Sequence, residues 1–129
     1  MELIYYATSN YKNHLCDLKK KYDKRFISQV TEIKDFLDTN LNRYYTIPEL
    51  AKKFAVSQTY AKEIFKELYG STIYQYHLSK KKKKAKELLV EKTDMKISEI
   101  ALQTGFSSAS KFTHAFKKKY DFLPSYLRS

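Results

Sequence analysis

Residues 96–107 read KISEIALQTGFS, and residues 46–57 read TIPELAKKFAVS; the two stretches align without a gap at an offset of 50 residues. The matched pairs are Ile47 with Ile97, Glu49 with Glu99, Leu50 with Ile100, Ala51 with Ala101 and Ser57 with Ser107. After one inserted residue the similarity resumes and continues to Tyr69 and Tyr120. The chain therefore contains two copies of one supersecondary unit.

Each copy predicts a short helix, a tight turn and a longer helix. In the first copy, Thr46 followed three residues later by Glu49 is a capping-box signature, and Pro48 falls in the first helical turn, where its missing N–H is tolerated. The short helix is therefore expected to begin near Ile47.

The turn between the helices is marked by Gly105 in the second copy. Glycine adopts a positive φ without a Cβ clash, which such a turn requires. Ala55 occupies the same place in the first copy, which predicts a slightly strained turn. The small Ala101 should let the following helix pack closely across the first one.

Apolar residues at helical spacing predict two further helices. One spans about Phe26 to Asn40, with its end expected around residues 40–42, and the other links the two copies through residues 76–92. Pro124 predicts a short closing turn or helix at the far end. Residues 1–23 leave two alternatives open: a strand at LIYY, or a helical stripe formed by Leu3, Ala7, Tyr11, Leu15 and Leu18.

The predicted fold is therefore all-α, with two helix-turn-helix subdomains joined by a long linker helix. The expected organisation is an N-terminal extension at 1–23, a first helix-turn-helix subdomain at 24–75, the linker helix at 76–92 and a second subdomain at 93–129.

Charge and composition narrow the class of function. The 129 residues carry a formal net charge of +11, which favours a polyanionic partner such as nucleic acid or an anionic membrane surface. The single cysteine, Cys16, cannot form an internal disulfide, which is consistent with a protein of the reducing cytoplasm. No apolar run is long enough for a membrane span, and the N-terminus lacks the plan of a secretion signal.

Catalytic and cofactor chemistry is not indicated. The sequence has no paired carboxylates, no nucleophile with a base and no glycine-rich phosphate loop, so we expect no enzymatic activity and no cofactor. His114 has no cysteine, aspartate or second histidine at ligand spacing, so we expect no metal site. No site for a small-molecule effector is evident.

The exposed faces of the two longer helices follow from about 100° of rotation per residue. Apolar residues bury one side of each helix, and small hydroxyls, amides and cations remain on the other, which suits the donors and acceptors of the DNA major groove. For a single helix, a polar face could simply be exposed to solvent, but the occurrence of the same face in both copies favours contact with the major groove. The predicted DNA-binding residues are Gln58, Thr59, Lys62, Glu63 and Lys66 in the first copy, and Ser108, Ala109, Ser110, Thr113, His114 and Lys117 in the second.

The lysine run Lys80–Lys84 spreads around the whole helix and cannot serve one surface. Lys81 or Lys82 is expected to lay its stem along the edge of the core or to pair with a carboxylate. The other members, together with Lys117–Lys119, either contact phosphates or form a solubilising surface.

The segment from Ile47 to Arg128 resembles the DNA-binding domain of AraC/XylS-type transcriptional regulators. The second copy carries the resemblance in I-A-x-x-x-G-F-S at 100–107, in Ala115-Phe116-Lys117-Lys118 and in Pro124-Ser125-x-x-Arg128. With the first helix, the resemblance covers roughly residues 24–128. It implies a homeodomain-like fold and a monomer that inserts two recognition helices into successive major grooves of double-stranded DNA.

The same resemblance implies recruitment of RNA polymerase by a bacterial, cytoplasmic and nucleoid-associated regulator, either a small stand-alone member or the DNA-binding end of a larger one. Several positions depart from the family pattern. Family members usually have arginine at Glu63 and at Lys81, leucine at Ala61, glycine at Asp121 and arginine or lysine at His114. Glu63 and Ala61 motivate an alternative, a protein-interaction module that keeps the scaffold without specific DNA binding.

Overall fold

The computed structural model describes residues 17–128, and all regular secondary structure within them is helical, as predicted. Residues 17–21 are helical and lead into the first complete helix. The complete helices are α1 (Lys24–Thr39), α2 (Ile47–Lys53), α3 (Gln58–Tyr69), α4 (Ile73–Glu91), α5 (Ile97–Gln103) and α6 (Ala109–Tyr120), followed by a closing 3₁₀ helix (Pro124–Arg128). No helix in this part of the chain is long and apolar enough to cross a membrane.

The described residues divide into two compact units. Unit 1 contains the residues up to Thr39 together with Tyr45–Tyr76, and unit 2 contains Asn40–Tyr44 together with the residues from His77 onward. Each unit holds one copy of the repeat, α2 and α3 in unit 1 and α5 and α6 in unit 2.

Two helix boundaries differ in detail from the sequence pattern. Helix α1 ends at Thr39, just before the expected 40–42. The carbonyl of Asn40, the next residue, accepts a 2.8 Å hydrogen bond from the His77 Nε2–H. Helix α4 begins at Ile73, three residues before the expected start at 76, because Thr72 and Gln75 form a capping box. The Gln75 N–H donates 3.1 Å to the Thr72 hydroxyl, and the Thr72 N–H donates 3.3 Å to the Gln75 side chain.

The core of unit 1 is formed by α1, α3 and the residues that precede α1, together with Leu50 of α2 and the start of α4. Ile27, Val30, Ile33 and Leu37 of α1 are buried, as their spacing predicted. Leu18 is buried in the same core. The core therefore extends into the residues before α1, and we call residues 17–23 the leading segment. The remainder of the stripe predicted there, at Leu3, Ala7, Tyr11 and Leu15, lies outside the described residues, as does the alternative strand at LIYY.

The core of unit 2 is smaller. Its fully enclosed members are Ala85, Leu89, Ile100, Ala101, Phe112 and Phe116. Phe122 and Leu127 pack against this cluster from the chain that follows α6. The closing 3₁₀ helix confirms the short terminal element predicted at Pro124.

Candidate nucleic-acid interface

The turn that joins the two helices of each copy has the same hydrogen-bonded geometry. Ala55 and Gly105 both have positive φ values, 55° and 81°. In unit 1 the Val56 N–H donates 3.0 Å to the Ala51 carbonyl, and in unit 2 the Phe106 N–H donates 2.9 Å to the Ala101 carbonyl. These bonds are the Schellman motif, which satisfies the last carbonyls of the short helix and redirects the chain. Both turn predictions are confirmed.

Gly105 is required by its surroundings as well as by its backbone conformation. A Cβ at this position would lie 2.8 Å from the carbonyl oxygen of Leu41 and 2.9 Å from the Cε of Lys81. Ala55, in contrast, is exposed. The second turn is therefore closed over by neighbouring chain, and the first is open.

The starts of the short helices differ between the copies. Thr46 and Glu49 form the predicted capping box: the Glu49 N–H donates 3.2 Å to the Thr46 hydroxyl, and the Thr46 N–H donates 2.8 Å to the Glu49 carboxylate. Helix α5 has Lys96 at the equivalent cap, with no side-chain hydrogen bond. The first amides of α5 therefore lack the acceptor that α2 has.

The longer helices α3 and α6 are each preceded by a capping serine. The Tyr60 N–H donates 3.0 Å to the Ser57 Oγ, and the Lys111 N–H donates 3.2 Å to the Ser108 Oγ. Ser108, a predicted DNA-binding residue, thus caps α6, while its hydroxyl proton can still be donated to another acceptor.

Helix α3 presents the face that its periodicity predicted. Ala61, Ile64, Phe65 and Leu68 are buried. The predicted site residues are all exposed: Gln58, Thr59, Lys62, Glu63 and Lys66. Lys62, Glu63 and Lys66 line one concave surface together with Lys21, Tyr22, Glu67 and Gly70.

Lys21 and Tyr22 were missed as site residues because they precede α1. The Tyr22 hydroxyl donates 2.6 Å to Oε2 of Glu63. Its ring lies edge-on to that of Tyr60, with centroids 5.2 Å apart. The hydrogen bond to Glu63, with burial as a second cause, raises the pKa of Tyr22 to about 12. The phenol is therefore a hydrogen-bond donor throughout the neutral range.

Helix α6 also presents the predicted face. Phe112 and Phe116 are buried, and Ser110, His114 and Lys117 are exposed, while Ser108, Ala109 and Thr113 are half-buried. One concave surface is lined by the predicted residues Ala109, Ser110, Thr113, His114 and Lys117, and also by Lys118, Asp121 and Leu123.

Asp121 and Leu123 were not among the predicted site residues. Asp121 caps α6 in the left-handed conformation, with φ 64°, and turns the chain back so that Leu123 borders the same surface. The sequence offered one indication of this turn, because Asp121 stands where the family usually has glycine. It gave no indication that Leu123 would border the surface.

The lysine run is distributed as its spacing required. Lys81 is buried beside Gly105, which confirms that a lysine stem lies along the core edge, and burial lowers its pKa. Burial also lowers the pKa of Lys82, and the ammonium groups of Lys119 and Lys118 lower it further. Lys119 donates 2.9 Å to the Ser79 hydroxyl of α4. Lys82, Lys118 and Lys119 therefore form a cluster of like charge, which we call the lysine cluster.

The chain is similar to known proteins over most of its length. The family model described as a helix-turn-helix domain matches residues 50–129. The probable transcription factor PqrA of Proteus vulgaris is 37% identical over 101 residues, covering 77% of this chain and 82% of the relative. The transposon Tn10 TetD protein of Escherichia coli is 32% identical over 123 residues, covering 93% of this chain and 88% of the relative.

Among solved structures, the C-terminal domain of the two-component response regulator yesN from Fusobacterium nucleatum superposes with a TM-score of 0.70 and 32% identity. The match covers 77% of this chain and 96% of that one. These similarities agree with the duplicated turn and with the two exposed helix faces. The chain belongs to the AraC/XylS family of helix-turn-helix transcriptional regulators.

Proposed function

We propose that this protein binds double-stranded DNA sequence-specifically by placing α3 and α6 in successive major grooves of one duplex, and that it regulates transcription in this way. One observation carries the proposal: the same hydrogen-bonded turn occurs twice, and each time the longer helix keeps a polar face exposed. The B-DNA major groove is wide enough for one such helix.

The side chains near the start of each longer helix are assigned to base edges, because recognition helices contact bases mainly through their N-terminal residues. On α6 these are Ser110, Thr113 and His114, whose hydroxyl and imidazole groups both donate and accept hydrogen bonds. On α3 they are Thr59 and Glu63, with Gln58 at the first helical position.

Lysines at the borders of both faces are assigned to phosphates. Lys62 and Lys66 flank Glu63 on α3, and Lys117 continues the exposed face of α6. The lysine cluster is assigned to phosphates as well, because a phosphate would offset the mutual repulsion of its ammonium groups, which adds to the effect of burial in lowering the pKa of Lys82. Such contacts strengthen binding without selecting sequence.

The DNA site that follows is asymmetric and about two turns long, since successive major grooves are roughly 34 Å apart. The subdomains at 24–75 and 93–129, with the linker helix between them, each contribute one half of this site in our proposal. Family membership supports recruitment of RNA polymerase by the bound protein. A regulator of this kind works at the nucleoid in the bacterial cytoplasm.

Selection of bound duplexes from a randomised pool tests the proposal. We expect one enriched motif with two separated conserved blocks, and binding to it should weaken by roughly 0.9 log unit per log unit of salt for each phosphate contact. Recovery of no enriched motif would contradict specific DNA binding. A stable protein partner found together with that result would favour the protein-interaction module instead.

A further inference from the structure

Glu63 is a carboxylate on an exposed helix face that also carries Lys62, Lys66 and a second carboxylate, Glu67. It is exposed on α3 between Lys62 and Lys66, in a chain with a formal net charge of +11. An unrestrained carboxylate there would repel phosphates and weaken every DNA complex alike. The Glu63 side chain is held in place, however, because the Tyr22 hydroxyl donates a 2.6 Å hydrogen bond to its Oε2.

Tyr22 itself is rigidly placed. Only 8% of it is exposed, and it belongs to the buried cluster of unit 1. Tyr60 packs against its ring, and Phe26 packs against Tyr60 with centroids 5.3 Å apart. The phenol therefore approaches Glu63 from a fixed point in the core, and the carboxylate loses much of the rotational freedom of a surface glutamate.

The second carboxylate oxygen remains available. Within residues 17–128, Tyr22 is the only hydrogen-bond partner of Glu63, and it occupies Oε2. Oε1 is then an acceptor held in place on the exposed face of α3. In the major groove a carboxylate accepts from the N4 amino group of cytosine, whereas guanine O6 and N7 and thymine O4 are acceptors that it repels. Adenine offers its N6 amino group as well, but places the N7 acceptor beside it, so a carboxylate suits adenine less well than cytosine.

We propose that Tyr22 is a positioning residue that fixes Glu63, so that α3 selects cytosine at one position of the DNA site. This inference rests on the proposed function, since it assigns a base preference to one of the two recognition helices. It also gives the leading segment a role in specificity, although that segment precedes both helix-turn-helix units.

The test compares base preferences of the full chain and three variants by selection from one randomised duplex pool. Tyr22→Phe removes only the hydroxyl and keeps the ring against Tyr60. Glu63→Gln keeps the shape of the side chain but replaces one acceptor oxygen by a donor. Tyr60→Phe is the matched control, because it removes a hydroxyl from the same aromatic cluster without removing the hydrogen bond to Glu63.

We expect the unmodified chain to require cytosine at one position, and Tyr22→Phe to reduce that preference roughly fivefold while the other positions stay unchanged. Glu63→Gln should move the preference at the same position from cytosine toward adenine, whose N6 and N7 suit an amide. Tyr60→Phe should leave the motif unaltered. Thermal unfolding followed by circular dichroism establishes that each variant is folded.

The outcomes separate the inference from the function on which it rests. If Tyr22→Phe weakens binding equally at all positions, Tyr22 only supports the fold, and the inference is overturned. The same holds if an enriched motif is found but Glu63→Gln leaves it unchanged, and in that case specific DNA binding stands. If Tyr22→Phe does not fold, the Glu63→Gln result alone decides whether Glu63 selects cytosine.

Discussion

The two turns have one backbone geometry but different residues at the position of positive φ. Ala55 in unit 1 is exposed, and Gly105 in unit 2 lies against the Leu41 carbonyl and the Lys81 side chain. A positive φ costs an L-residue about 1–2 kcal/mol, which an open turn can tolerate. A Cβ at Gly105 would in addition clash with the backbone carbonyl of Leu41, and the second turn cannot tolerate that clash. The surroundings of the turn, rather than the turn type, therefore decide where glycine is indispensable.

The two exposed faces differ in a parallel way. The face on α3 contains a carboxylate held by a tyrosine of the leading segment, and the face on α6 contains hydroxyls, His114 and Lys117. Duplication has kept the scaffold and varied the chemistry that it presents. We infer that the two halves of the DNA site are unlike in sequence.

Gly105→Ala should have the largest effect on stability. The left-handed conformation and the contact at 2.8 Å with the Leu41 carbonyl together should destabilise unit 2 by about 3 kcal/mol. Urea unfolding gives the loss of stability, and amide hydrogen exchange should place it in α5 and α6. Undiminished protection of those amides would contradict the tight packing at Gly105.

Exchange of Ser110 and His114 for alanine should have the next largest effect, on DNA rather than on stability. Both side chains are exposed on α6, so their loss should cost about 1–3 kcal/mol of base discrimination and relax one half of the motif only. Fluorescence anisotropy with matched and mismatched duplexes measures this. Lys118→Gln is the control, since losing a phosphate contact should weaken all duplexes alike and reduce the salt slope by about 1.

Lys96→Thr should give α5 the capping box that α2 already has. Glu99 stands three residues after the cap, and Lys96 has an extended backbone without a side-chain hydrogen bond, so we expect a gain of about 1 kcal/mol. The reverse exchange, Thr46→Lys, should lose a similar amount in unit 1. Chemical denaturation of both variants tests the pair, and equal signs for the two changes would refute the capping explanation.

Ala55→Gly should have the smallest effect and the opposite sign from Gly105→Ala. Relief of the positive φ should exceed the entropy cost of glycine, for a net gain of about 0.5 kcal/mol. The midpoint of urea unfolding, with the protection of the α2 and α3 amides, measures it. A loss of stability would mean that the turn at Ala55 is not strained.

Much of this architecture was predictable because it depends on local chemistry. The turn at Gly105, the capping box at Thr46 and the buried sides of α3 and α6 follow from residues a few positions apart. The Tyr22–Glu63 hydrogen bond was not predictable, because its partners are 41 residues apart and periodicity says nothing about which helices meet. The same reason explains why Leu123 and the neighbours of Gly105 were missed.

Hydroxyl-radical footprinting of the selected duplex tests most directly whether both copies bind one DNA molecule. We expect two protected patches on one face, centred about one helical turn apart, because successive major grooves repeat every 10–10.5 base pairs. Exchange of Ser110 and His114 should weaken one patch, and Glu63→Gln should affect the other. A single patch that responds to changes in only one helix would contradict the account.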